Sequence, residues 1–65
     1  MSHNSDTVQL DLQYITETDA AVLFSDGDSE FWIPKSQLID FYTPAKGEHL
    51  EIACSEWFAE KEGLV

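Results

Sequence analysis

Residues 20–34 read "AAVLFSDGDSEFWIP", and the fold follows from how this stretch divides. "AAVLF" (20–24) is a short, bounded apolar run of the kind that fits a central strand. "SEFWI" (29–33) is a second run, in which Phe31 and Ile33 fall on one side and Trp32 on the other. Asp26 and Gly27 stand between them. Glycine accepts the positive φ that a type I′ turn requires, so Asp-Gly between apolar runs predicts a β-hairpin. Pro34 has no amide donor, so the returning strand ends there or lies at an edge.

Outward from this hairpin the pattern stays strand-rich. In "TVQLDLQYIT" (7–16), Val8, Leu10, Leu12 and Tyr14 alternate with Gln9, Asp11 and Gln13, which predicts a strand with one buried and one wet face. "ETD" (17–19) is a turn. "PKSQL" (34–38) predicts a short helical turn, and "IDFYT" (39–43) a short strand with Leu38, Ile39 and Phe41 adding apolar area. "PAKGE" (44–48) is a loop by its proline and glycine. "HLEIAC" (49–54) alternates again, with Leu50, Ile52 and Cys54 on one face.

The closing "SEWFAEKEGLV" (55–65) predicts a short helix. Ser55 is a good N-cap, Glu56 and Lys61 complement the helix dipole, and Gly63 suits a left-handed stop with Leu64 folding back. Trp57 and Phe58 are expected to anchor it on the sheet. The expected class is α+β: a small antiparallel sheet of about four strands with one short C-terminal helix packed on it. Residues 7–65 are expected to form the single domain, behind a flexible polar tail, 1–6, that includes His3.

Composition narrows the function. A 65-residue chain makes one domain and buries only about 60% of its unfolded surface. Thirteen Asp and Glu face three lysines, for a net charge of −10. Such a field repels nucleic acid and anionic membrane and attracts basic partners. Lys35, Lys46 and Lys61 cannot build a basic patch, so direct DNA or RNA binding is not expected. Cys54 is the single cysteine, no apolar run approaches a membrane span of roughly 20 residues, and "MSHNSDTVQ" has no apolar signal core. A reducing, cytoplasmic setting is expected.

Site chemistry is sparse. Asp26, Asp28 and Glu30 alternate like the start of a calcium loop, but the glycine stands second instead of sixth, and Gln37 occupies the twelfth place. His49 and Cys54 lie five apart on a predicted strand, which sends them to opposite faces and rules out a nucleophile–base pair. One cysteine and two histidines are too few and wrongly spaced for zinc. No phosphate loop is present. The expectation is a protein that is not an enzyme and carries no metal or cofactor.

The acids therefore matter collectively. Acids at i and i+2 on a strand point the same way about 6–7 Å apart, of the order of the step between phosphates along a DNA strand. Asp26, Asp28 and Glu30 have this spacing, Glu17 and Asp19 repeat it at the other end of "AAVLF", and Asp11 and Glu51 extend the row. Two readings stand: a solvated surface, or an imitation of DNA whose docking releases the partner's counterions. Trp32 and Tyr42 are left open between core and interface.

With "AVLF…DGDSEFWIPKSQL" in the middle and "SEWFAEKEGLV" at the end, the chain resembles the small acidic anti-CRISPR proteins of phages and mobile elements, in particular inhibitors of type I-C systems. The resemblance covers nearly the whole chain. It implies a monomeric, stoichiometric inhibitor in the host bacterial cytoplasm. Several such proteins mimic double-stranded DNA and occupy the basic surface, on the large subunit of a type I Cascade complex, where the PAM and target DNA are recognised; PAM binding precedes guide pairing in RNA-guided systems. No family motif assigns contacts, so Asp26, Asp28, Glu30, Glu17, Asp19, Asp11 and Glu51, with Trp32, are the expected partner-binding residues from spacing alone. The alternatives are an interaction module using Trp32 and Tyr42, or a DNA mimic aimed at a restriction, repair or repressor protein.

Overall fold

β1 (Thr7–Glu17) is the spine of a five-stranded antiparallel sheet. The computed structural model describes residues 7–64, so the expected 1–6 tail lies outside the described residues. Along the chain follow β2 (Ala21–Ser25), β3 (Glu30–Pro34), a 3₁₀ turn (Lys35–Gln37), β4 (Leu38–Ile39), β5 (His49–Ser55) and α1 (Glu56–Lys61). The spatial order is β3-β2-β1-β5-β4. β1 is long enough to serve two neighbours: Thr7–Gln13 pairs with β5, and Gln13–Glu17 with β2.

Period-two alternation makes the inner face. Leu12, Tyr14, Val22, Phe24, Ile33, Ile52 and Cys54 are buried there, and α1 closes over them with Phe58 and Ala59. The other face of the sheet has no covering layer among the described residues.

The β2–β3 hairpin forms where Asp-Gly predicts it, with a different turn. Type I′ needs positive φ at both central residues. Here Gly27 has φ +98°, while the one non-glycine with positive φ among the described residues is Asp40. Asp28 is therefore not left-handed. The Asp26 side chain holds the turn instead: its Oδ1 accepts from the amides of Asp28 (2.8 Å) and Ser29 (2.9 Å), the local bonding that makes aspartate a turn residue. β3 is an edge strand and Pro34 is its last residue, so no ladder bond is lost to the missing donor.

One β-bulge changes the register of β1. Tyr14 pairs with Phe24 but Thr16 pairs with Leu23, so one extra residue is inserted on β1. Every side chain beyond it changes face. Glu17, which strict alternation puts beside Asp11, arrives instead opposite the fully buried Val22.

Two expectations need correction. The predicted strand at 39–43 shrinks to Leu38–Ile39, because Asp40 at φ +51° breaks the extended backbone. Leu38 is buried and Ile39 is exposed; Phe41 turns back to pack edge-on against Phe24 at 6.0 Å. Trp57 does not anchor the helix. It is 63% exposed with the Lys61 ammonium 5.2 Å from its ring centre, and Phe58 does the anchoring. A helix of six residues has room for only a narrow buried stripe, which Phe58 and Ala59 fill.

The ends of α1 are built as expected. Ser55 Oγ accepts from the Phe58 amide at 3.1 Å. Gly63 at φ +74° sends its amide to the Glu60 carbonyl and that of Leu64 to the Ala59 carbonyl, a full Schellman stop that folds Leu64 onto the core.

Candidate functional site

The uncovered sheet face carries the candidate site. The amide of Tyr14 donates to Glu48 O and its carbonyl accepts from Gly47, both at 2.9 Å. Even-numbered residues of β1 therefore bond toward β5. In the unbroken register, Asp11 and Glu51 become a directly opposed pair without mutual backbone bonds. Such pairs have Cα atoms about 4.5 Å apart and the closest side chains in a sheet. Like charges placed directly opposite one another are destabilising. Both carboxylates are exposed, and neither has a salt-bridge partner among the described residues.

Around this pair lies an open cleft of about 380 Å³, lined by Asp11, Gln13, Asp26, His49 and Glu51 among others. Gln13 is fixed by its Nε2 bond to Gly47 O at 3.0 Å. Glu30 stands on the same face, opposite Ser25 and two residues from Trp32, which is 47% exposed. Asp28 is at the exposed hairpin tip. The Ser29 and Asp28 amides hold the Asp26 carboxyl below its ordinary value, so it stays ionised while it holds the turn.

Glu17 and Asp19 do not join this group. The bulge turns Glu17 to the inner side, where it accepts from Lys35 Nζ (2.7 Å), Thr43 Oγ1 (2.9 Å) and the Tyr14 hydroxyl (3.0 Å). The Lys35 bond first, then the Thr43 bond, hold its pKa down. Burial, aided by Glu17, pushes the Tyr14 phenol up. Glu17 is thus a structural anchor tying the 3₁₀ turn and the Thr43 loop to β1. Asp19 sits in the β1–β2 turn, not on a strand, at the far end of β2 from Asp26, roughly 17 Å away by the rise of five residues. The continuous row expected from spacing resolves into a cluster of Asp11, Glu51 and Asp26, with Asp28 and Glu30 at its rim.

Tyr42 is 80% exposed. It follows β4, whereas Trp32 lies on β3, and these are opposite edges of the sheet. Past β4 the chain turns back, and Tyr42 lines a hollow of about 220 Å³ with Gln9, Glu51 and Ala53, whereas Trp32 stands on β3, so the two aromatics line different parts of the surface. A second exposed group escapes the reading from spacing: Glu56, Trp57 and Glu60 line a shallow depression on α1. The i, i+4 spacing of the two glutamates is the signal that finds it.

Cys54 is fully buried and His49 exposed on the other face; burial pushes the thiol pKa up. Among the described residues, no three of His, Cys, Asp and Glu converge well enough to hold a metal ion, and no helix is long and apolar enough to cross a membrane. No family model, curated protein or solved structure matches the chain.

Proposed function

We propose that the protein is a stoichiometric inhibitor that mimics double-stranded DNA. Its open acidic face docks on the basic surface of a CRISPR surveillance complex, where the large subunit receives the PAM and target DNA. The observation that carries the reading is the opposed Asp11–Glu51 pair, which has no counter-charge among the described residues and lies on the face they leave uncovered. A fold gains nothing from such a pair, whereas a partner's lysines and arginines do. The choice of a CRISPR complex rests on the resemblance of "DGDSEFWIPKSQL" and "SEWFAEKEGLV" to type I-C inhibitors; the acidic face supports a basic protein partner more generally. The protein acts in the cytoplasm of the bacterial host.

The test is target-DNA binding by a purified type I-C complex. Wild-type protein abolishes DNA binding at stoichiometric ratio, and the effect weakens as salt rises. The double variant Asp11→Lys/Glu51→Lys releases the complex, while Asp19→Lys does not. Full inhibition by the double variant refutes this face as the contact. If wild-type protein leaves the complex untouched, the partner is instead a restriction, repair or repressor protein with a basic DNA groove.

One observation favours a second reading. Trp32 is half exposed on the same face as Glu30, and tryptophan is enriched among interface hot spots. If the protein is an aromatic interaction module, Trp32→Ala costs binding more than the acid reversals do. Tyr42→Ala then has a separate effect or none, given its place on a different part of the surface.

A further inference from the structure

Among the described residues, β1 carries an unpaired sheet edge beside the acidic cluster. Even-numbered residues of β1 bond toward β5, so Thr7, Gln9 and Asp11 turn their amides and carbonyls to the opposite side. That is where β2 would continue. But β2 ends at Ser25, opposite Gln13, because the chain turns at Asp26–Ser29. No backbone bond among the described residues reaches Thr7, Gln9 or Asp11 from that side. Among the described residues, a space is left beside this edge of β1, beyond the hairpin tip.

Its two walls differ in chemistry. On the outer side is the cleft of Asp11, Asp26, His49 and Glu51. On the inner side is a hollow of about 220 Å³ lined by Leu10, Leu12, Phe31 and Leu64, with Asp11 and Asp26 at its mouth. A strand entering this space points alternate side chains to the two sides. The complement is an extended segment in which basic residues alternate with apolar ones. The edge of β3 is a poorer template. The Asp26–Ser29 bond sets the hairpin register, so its outward backbone groups belong to Glu30, Trp32 and Pro34, and Pro34 has no donor.

We infer that Thr7–Asp11 is a strand-addition site for an extended segment of a partner protein with alternating basic and apolar residues. Main-chain bonds supply affinity, and the acidic and apolar walls supply selectivity, as in other β-augmentation. The inference shares with the proposed function only a basic protein partner; it requires no CRISPR complex. A second copy of this chain is disfavoured by its charge of −10.

The probe is the peptide acetyl-Lys-Val-Lys-Val-Lys-amide, titrated into the ¹⁵N-labelled protein. The Thr7, Gln9 and Asp11 amides are expected to shift and gain exchange protection. The lysine amides of the peptide face β1, because the hydrogen-bonded positions are those whose side chains point outward. N-methylation of two lysine amides should weaken binding by more than about tenfold, two hydrogen bonds being lost; N-methylation of the valine amides should not. Gln9→Pro removes an outward amide without touching the β5 ladder and should weaken binding equally, whereas Gln9→Ala should bind normally. The N-methylated peptides keep the test decisive if the proline variant fails to fold. No binding, equal binding by the lysine-methylated peptide, or shifts centred on Glu30 and Trp32 would each overturn the inference. So would concentration-dependent shifts of the β1 amides without peptide, which would assign the edge to a second copy. Failure of CRISPR inhibition leaves this titration unaffected, so the two readings stand or fall separately.

Discussion

Glu51→Lys should make the protein more stable and less active. Asp11 and Glu51 oppose each other on neighbouring strands. With their carboxylates about 6 Å apart in near-aqueous surroundings, Coulomb repulsion is about 0.7 kcal/mol. Salt at 0.1 M, with a Debye length of about 10 Å, leaves roughly half of that. Lysine at 51 replaces repulsion by a similar attraction, so the total change is about 1 kcal/mol, the upper range for cross-strand pairs. For a domain of this size that raises Tm by about 4–8 °C. Glu51→Gln removes the repulsion alone and should give about half the gain. The assay is thermal unfolding followed by circular dichroism at 20 mM and at 1 M NaCl, where a Debye length of about 3 Å should erase most of the difference. Melting at or below wild type in low salt would refute the reasoning. So would a gain that survives 1 M salt undiminished, since it would then come from packing or strand propensity.

Other outcomes follow from the core, the Glu17 anchor and the helix stop. Phe24→Ala deletes a fully buried ring packed against Phe41 and should cost about 3–5 kcal/mol, leaving the chain largely unfolded at 25 °C by near-ultraviolet circular dichroism. The Glu17 pKa is depressed from its ordinary 4.5, first by Lys35 and then by Thr43. Its contribution is therefore present above 4.5 and lost as pH falls through the lower folded value. The Tm difference between wild type and Glu17→Gln should hold steady from pH 7 to 5 and close below 4.5; a difference that grows on acidification contradicts the ion-pair assignment. Gly63→Ala meets open space, with nothing within 4 Å of the new Cβ. Its cost, about 1 kcal/mol in denaturant unfolding, therefore comes from the left-handed backbone alone.

Much of the fold is legible in the sequence because its signals are local. The alternation of Val8 through Tyr14, the Asp26–Gly27 turn, Pro34 at a strand end and the Ser55 and Gly63 caps each follow from one residue's own chemistry. The candidate site is less legible because it depends on register. Asp11 and Glu51 stand forty residues apart in sequence, and nothing local says that they face each other. Glu17 reads as a turn residue in an acidic row with Asp19, yet β1 runs on through it and one bulged residue carries it to the inner face, an insertion that no local pattern announces. Trp57 reads as an anchor from its size, but the narrow stripe of Phe58 and Ala59 suffices to seat six residues of helix. Asp26 is read from spacing as a free charge, yet its side chain is committed to the turn.

Cys54 makes the molecule its own clock. The thiol is the single one in the chain, is wholly enclosed between Leu38 on β4 and Val8 on β1, and has its pKa raised by burial. A thiol reagent can reach it only after α1 lifts from the inner face or β5 parts from its neighbours. Labelling rates would therefore time the opening of the layer around the strand that carries Glu51, with no probe to install. Adding the lysine–valine peptide to that reaction would show whether filling the space beside β1 slows that opening.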